Sequence, residues 1–434
     1  MLSLSTARGW VSGSPRLRTP EARDLVLIGV VALALRTAWA LVYGRVEAGP
    51  NDALFYQIAA SNLAEGHGYS QLFGPPTAHW PPGFPFLVSL LYMVFGIHVK
   101  LGLGLNVVLG TATAPLLYLV ARRMMGRPGG LVAGATFAIL PAPIFFTGLF
   151  LSETTFIFML VGFLALALFL PDRRWTAAAL GVAAGLAALT KGEGALLPVI
   201  PLAMWWGLYA RGEWLRRAAV LLVAMALTIL PWTIRNAIEM DAFIPVATNA
   251  STTLWSGHND NANGAQTYAP ESLLAKVPKG DPVKAEVEEA RVLRRDAVYW
   301  AVHNPLKELG LIPRKLLALG NQTSHVFPIW FNAEGDRQLG ASSLIVFGVL
   351  GDAFDYFLIF LTLASLVVLG GKRLWRSHPL MRGVLAYLAV SLVVFGFVYY
   401  GQFRYRLPLE PLMILVSTPL LVWVWDQRRA LARD

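Results

Sequence analysis

LGLGLNVVLGTATAPLLYLVARRMMGRPGGLVAGATFAILPAPIFFTGL, residues 101–149, decides the fold. Two apolar runs, 101–121 and 129–149, flank Arg122, Arg123 and Arg127. About 20 apolar residues cross a ~30 Å hydrocarbon core, and each run reaches that length. An arginine-rich tip between two spans marks a hairpin whose turn lies on the cytoplasmic side.

The pattern repeats along the chain. Further apolar runs lie near 25–44, 152–171, 175–190, 194–210, 217–234, 352–370, 381–400 and 407–425. Two of them, 175–190 and 194–210, are short and rich in glycine and alanine. Basic clusters recur in the N-terminal arm, at Arg173/Arg174, Arg211/Arg216/Arg217, Lys372/Arg373/Arg376 and Arg428/Arg429. If every cluster is cytoplasmic, the long runs alternate correctly, provided the short run 83–97 does not cross. The expected architecture is an all-α polytopic membrane protein, with both termini cytoplasmic and 83–97 immersed or re-entrant. Its parts are a basic arm (1–24), an N-terminal transmembrane module (25–235) holding a first external loop (45–100), a second external loop or small subdomain (236–350), and C-terminal spans (351–434).

Composition agrees. The chain is 56% hydrophobic and 14% charged, against about 25% charged in average soluble chains. Its net charge of +10 is spread over short clusters between apolar runs, a topology signal that argues against nucleic acid. There is no cysteine, which excludes disulfides, thiolate metal sites and a cysteine nucleophile. Ala38-Trp39-Ala40 mimics a signal-peptidase site, but the apolar run continues past it to span length, so it reads as a retained first span.

On this topology the polar residues sort to one face. Asp52 follows the first span, in NDALFYQIAASNLAEGHGYS. Ser152-Glu153 opens the run at 152, Lys191 ends the run 175–190 in LTKGEG, and Arg235-Asn236 leaves the run at 217–234. Asn259 to Gly264 sits in the second loop, and Arg404 and Arg406 in FRYRLPLE lie in the last external connection. A one-sided ring of acids and bases suits chemistry on a lipid headgroup, with the charges kept near water.

Each residue also has a plain structural reading. Asp52 is a good helix N-cap, and Leu54, Phe55, Ile58, Ala59 and Leu63 have the spacing of an interfacial amphipathic helix. Ser152-Glu153 suits a helix N-terminus, and Lys191-Gly192 a C-terminus. Arg235 could snorkel, and Arg404 and Arg406 could anchor at the interface. Arg36, inside the first span, needs a partner or a route to the interface. Glu65, His67 and His79 share the first loop with Asp52, so a divalent metal stays an open alternative, although no ligand spacing supports one. Two sequons, Asn249-Ala250-Ser251 and Asn321-Gln322-Thr323, fall in the second loop.

Taken in order, NDALFYQIAASNLAEGHGYS, HWPPGFPFLVSLLYMVFG, LSETTFIFML, LAALTKGEGALLP, LPWTIRNAIEMDAFIPVATNASTTLWSGHNDNANG and FRYRLPLEPLMIL resemble the GT-C superfamily of integral membrane glycosyltransferases. The nearest branch is that of the protein O-mannosyltransferases and lipid A aminoarabinose transferases. The resemblance implies a GT-C-type transmembrane helix bundle with two external loops carrying interfacial helices. It implies a polyprenyl-phosphate sugar donor and transfer to a hydroxyl acceptor on the external face of the inner or plasma membrane. The family's acidic catalytic residue in the first loop is matched by Asp52, and its second acid by Glu153. Relatives often carry two adjacent acids in that loop; here Asn51 precedes Asp52 and Ala53 follows it. Lys191, Arg235, Arg404 and Arg406 match the basic residues that hold the lipid phosphate. Tyr56, Glu65, His67, Asn236, Asn259 and Gly264 are the substrate-contacting candidates. The rival from another class is a transporter or flippase of lipid-linked sugars, which predicts repeat symmetry and midplane ionisable groups; the sequence shows no repeat.

Overall fold

The computed structural model describes residues 19–44, 52–71, 74–321, 323–325, 327 and 340–431. Most of the basic arm, Asn51, Gln322 of the second sequon and residues 328–339 lie outside the described residues. The described part of the arm, from Thr19, is already helical.

Among the described residues there are helices and turns but no strand. Six helices among the described residues are long and apolar enough to cross a membrane: Pro20–Tyr43, Val99–Ile139, Arg211–Glu239, Ser342–Val368, Pro379–Val398 and Phe403–Arg428. Their outward faces carry exposed Leu27, Leu41, Val223, Phe360 and Val367, side chains suited to lipid rather than to water. The chain is a multi-pass membrane protein.

The elements run in chain order as α1 (Thr19–Tyr43), α2 (Asp52–Ala64), α3 (Gly83–Phe95), α4 (Val99–Ile139), α5 (Pro141–Thr147), α6 (Glu153–Phe169), α7 (Arg174–Thr190), α8 (Val199–Trp205) and α9 (Arg211–Glu239). They continue as α10 (Asn249–Gly257), α11 (Glu271–Leu274), α12 (Pro282–His303), α13 (Pro305–Leu319), α14 (Ala341–Val368), α15 (Gly371–Ser377), α16 (Pro379–Val393), α17 (Phe403–Arg406) and α18 (Glu410–Leu431).

The hairpin expected at 101–149 is present, with one amendment. Helix α4 breaks at Gly126, whose φ of 75° and ψ of −176° reverse the chain in a region glycine enters without a Cβ penalty. Beyond the break its second arm packs back on the first: a Cβ on Gly134 would lie 2.8 Å from the Tyr118 side chain. The arginine tip is tied to α1, Arg122 to Glu21 at 2.5 Å and Arg127 to Asp24 at 2.6 Å. The expected third run does not stay helical to 149; α4 ends at Ile139 and α5 starts at Pro141.

That break explains Arg36. Pro141 has no N–H to give the carbonyl of Phe137, four residues earlier. Arg36 is fully buried and donates to Phe137 O at 3.2 Å and Ala138 O at 3.0 Å. It caps a helix end inside the bundle instead of snorkelling.

Two other expectations shift. The run 194–210 divides into a tight turn, Gly192–Leu196, and the short helix α8, because Pro198 and Pro201 interrupt the backbone ladder. On α2 the buried residues are Ala53, Tyr56, Ala59 and Ala60, and of the expected set led by Leu54 only Ala59 is among them. The Tyr56 ring seats against Phe84 of α3 at 5.6 Å and turns Leu54 outward. The 13 residues of α3 rise only about 20 Å, short of a ~30 Å core.

Candidate functional site

Four charged side chains from distant parts of the chain meet at one end of the bundle. Asp52 begins α2, Glu153 begins α6, Lys191 follows the last residue of α7, and Arg404 belongs to the one-turn α17. The helix geometry favours this placement: an acid sits well at a helix N-terminus and a cation at a C-terminus.

Arg404 is the hub. Its Nη2 donates to Asp52 Oδ2 at 3.0 Å and to Glu153 Oε1 at 2.6 Å, while its Nε reaches the same Glu153 oxygen at 2.9 Å. Lys191 Nζ donates to that oxygen too, at 3.2 Å, and lies 3.7 Å from Glu193 Oε1. The side chain of Glu153 is fully buried, whereas 26% of the Asp52 side chain is exposed. Glu153 Oε2 is buried without a hydrogen-bond partner. Glu153 therefore holds the two cations together from inside, and Asp52 is the acid that opens outward.

Aromatic side chains wall the cluster. Lys191 Nζ lies 5.9 Å from the Tyr405 ring centre, and Tyr405 stacks on Phe395 at 4.8 Å. The Tyr405 hydroxyl donates to Tyr400 at 3.2 Å. Tyr56 OH lies 3.5 Å from Ser152 Oγ. Burial, reinforced by the Asp52 and Glu153 carboxylates, pushes the Tyr56 phenol far above its ordinary range, so it stays a neutral donor at physiological pH. At Lys191 burial opposes the charge, but Glu153 and Glu193 outweigh it and hold the ammonium above its usual range. Lys191 thus keeps its charge through neutral pH, and its contribution to stability is lost only as pH rises through that elevated value.

The structure brings together Asp52, Tyr56, Glu153, Lys191 and Arg404 and sends the other candidates elsewhere. Arg235 donates to Tyr69 O at 2.6 Å and Thr77 O at 2.7 Å and stacks on Trp232 at 5.0 Å, clamping the first loop to α9. Arg406 is buried against Asp355 at 2.5 Å, Asn321 O at 2.6 Å and Thr323 at 2.9 Å. Asn236 caps Ile244 O at 3.0 Å, and Asn259 closes its own turn on Trp255 O at 2.8 Å. Gly264, at φ 99°, lies against the backbone of Arg314, where a Cβ would sit 2.6 Å from a main-chain carbon. Glu65 and His67 pair with each other at 3.4 Å on an exposed turn. Among the described residues no group of three or more His, Asp or Glu is gathered as a metal site.

Glu193 and Tyr405 were missed by sequence reasoning. Glu193 sits two residues after Lys191 in TKGEG, and Tyr405 between the two arginines of FRYR. Proximity to singled-out cations was the available signal.

Residues 79–234 match the family described as dolichyl-phosphate-mannose-protein mannosyltransferase. The archaeal oligosaccharyltransferase AglB from Archaeoglobus fulgidus, solved with an inhibitory peptide and a dolichol-phosphate, has a TM-score of 0.57 at 16% identity, over 96% of this chain and 52% of that one. An Archaeoglobus fulgidus oligosaccharyltransferase in complex with Zn and sulfate gives 0.55 at 15%, over 93% and 49%. ArnT from Cupriavidus metallidurans bound to undecaprenyl phosphate gives 0.47 at 17%, over 91% and 78%. The chain spans about half the length of the archaeal enzymes it matches. No curated protein matches the sequence significantly. The fold is that of the GT-C membrane glycosyltransferases, as the motif order implied.

Proposed function

We propose that the chain transfers a sugar from a polyprenyl-phosphate donor to a hydroxyl acceptor at the external face of the membrane. The observation that carries this reading is Arg404 joining the outward acid Asp52 to the buried pair Glu153 and Lys191. The family match over 79–234 and the dolichol-phosphate in the AglB structure support a lipid-phosphate donor.

The chemistry fits these groups. Glycosyl transfer builds positive, oxocarbenium-like charge on the anomeric carbon. The bond from that carbon to the phosphate oxygen breaks, and one to the acceptor oxygen forms. The departing phosphate needs cations more than it needs a proton, and Lys191 and Arg404 supply them. The acceptor hydroxyl gives its proton to Asp52, whose Oδ2 is held by Arg404 and whose carboxylate is the more exposed of the two acids. A single base and direct attack invert the anomeric centre. Glu153 holds both cations in place. Arg235 and Arg406, committed to backbone carbonyls and internal acids, are left out of the phosphate set.

Proteoliposomes loaded with a labelled polyprenyl-phosphate sugar separate this reading from a flippase. Release of free polyprenyl phosphate with transfer of the label to acceptor is the expected result. Movement of intact donor between leaflets, with no cleavage, overturns it.

A further inference from the structure

We infer that the segment 240–319 is a brace that sets the geometry of the Asp52–Arg404 pair, with Glu286 and His258 as its positioning residues at two separate feet. The inference rests on the glycosyl-transfer reading of that pair.

The segment has a core of its own. Trp255, Leu273, Leu293 and Ala297 are buried together. Trp255 Nε1 donates to Asp296 at 2.8 Å and Trp300 Nε1 to Asp260 at 2.8 Å, so α10 and the turn after it are fixed on α12.

One foot stands on the loop beside Asp52. Buried Glu286 of α12 accepts from Thr77 Oγ1 at 2.5 Å, Ala78 N at 3.0 Å and Thr248 Oγ1 at 3.0 Å. Thr248 N donates to Ala78 O at 2.9 Å, and Asn249 N to His79 O at 3.1 Å. The next residue, Trp80, lies on Phe55 with 4.1 Å between ring centres, one turn along α2 from Asp52. A buried carboxylate satisfied by three neutral donors fixes the backbone it touches.

The other foot stands on the connection that delivers Arg404. His258 Nε2 faces Val398 O at 2.9 Å, and a carbonyl only accepts, so this nitrogen donates. Its Nδ1 faces Glu308 Oε1 at 2.6 Å, and fully buried Lys315 lies 3.6 Å from the other Glu308 oxygen. Gly401 N donates to Gly264 O at 2.9 Å. The backbones touch here: a Cβ on Gly257 would lie 2.7 Å from Tyr399 O, and one on Gly401 1.8 Å from Lys315 O. Arg404 follows Gly401 by three residues.

One compact body therefore reaches both partners of the 3.0 Å ion pair, Asp52 through the 77–79 backbone and the Trp80–Phe55 contact, and Arg404 through backbone a few residues before it. A one-turn helix and the first residue of α2 have little local means of holding such a distance, and a displacement of about 1 Å can cost about a hundredfold in rate.

The test uses the full chain in nanodiscs, with Glu286→Gln at one foot, His258→Leu at the other, the double variant, and His258→Gln as the conservative variant. Each single change is expected to lower kcat by about 10- to 100-fold with a smaller rise in donor KM, because Lys191 and Glu153 are untouched and Lys191 still holds the phosphate. His258→Gln, which keeps a donor for Val398 O, recovers most of the loss. The double variant is no slower than the worse single, because either lesion releases the same geometry. Hydrogen exchange over 398–406 rises in Glu286→Gln, although that residue touches only the other foot. This readout needs no turnover, so it stands apart from the identity of the reaction. Unchanged exchange over 398–406 in Glu286→Gln, or rate losses that multiply in the double variant, overturns the brace.

Discussion

On the proposed reading, Asp52→Asn is expected to lower sugar transfer by about a thousandfold, within the range lost with a general base, and to leave polyprenyl phosphate binding intact. Asparagine keeps the shape and keeps an oxygen to accept from Arg404, now 3.0 Å from Oδ2, but it cannot take a proton from the acceptor. The substitution also separates the two readings of this residue. Asparagine caps helices as well as aspartate does, so a residue that only starts α2 tolerates it. Turnover of labelled donor, measured beside phosphate binding, decides between them: retained turnover leaves Asp52 a cap.

Arg404→Met has a different signature. It removes the cation between two acids, one of them fully buried, and leaves Lys191 alone on Glu153. Stripping one partner from a buried ion pair costs about 3–5 kcal/mol, and losing a preorganised donor to the leaving group costs about a hundred- to a thousandfold in rate. Thermal unfolding in detergent should fall clearly while transfer is lost. Adding Asp52→Asn to Arg404→Met removes one stranded charge, so it is expected to recover part of the stability and none of the activity. A stable, active Arg404→Met protein contradicts the assignment of Arg404 as the hub.

The bundle was legible because its signals are long and redundant. The run at 101–149, with its arginine tip, announces a hairpin whatever the details of its ends, and the structure moves only the ends. Where prolines decide, at Pro141 and Pro198, hydropathy alone was blind: an apolar run with a broken backbone reads like a continuous one. Arg36 stayed unexplained at the sequence level because its partners are the carbonyls of Phe137 and Ala138, which have no side-chain signature. Its burial follows from Pro141, a hundred residues away.

The site was legible in its charges but not in their partners. Asp52, Glu153, Lys191 and Arg404 were singled out by charge at the ends of spans, and the structure brings them together. Arg235 and Arg406 carry the same signal yet serve other ends. An arginine at a membrane face is recognised equally well by a phosphate, a buried aspartate such as Asp355 or a row of carbonyls, and only the fold says which lies within reach. The same ambiguity hid Glu286, one acid among several in the charged segment near 280–296, whose partners Thr77, Ala78 and Thr248 come from distant sequence.

The most direct test of the central claim is a structure of the protein with a polyprenyl phosphate bound. The account predicts the phosphate within hydrogen-bond reach, about 3 Å, of both Lys191 Nζ and the Arg404 guanidinium, with Asp52 beside it on the outward side. A phosphate held instead by Arg235 or Arg406, with the Asp52–Arg404–Glu153–Lys191 cluster closed and distant from it, contradicts the account.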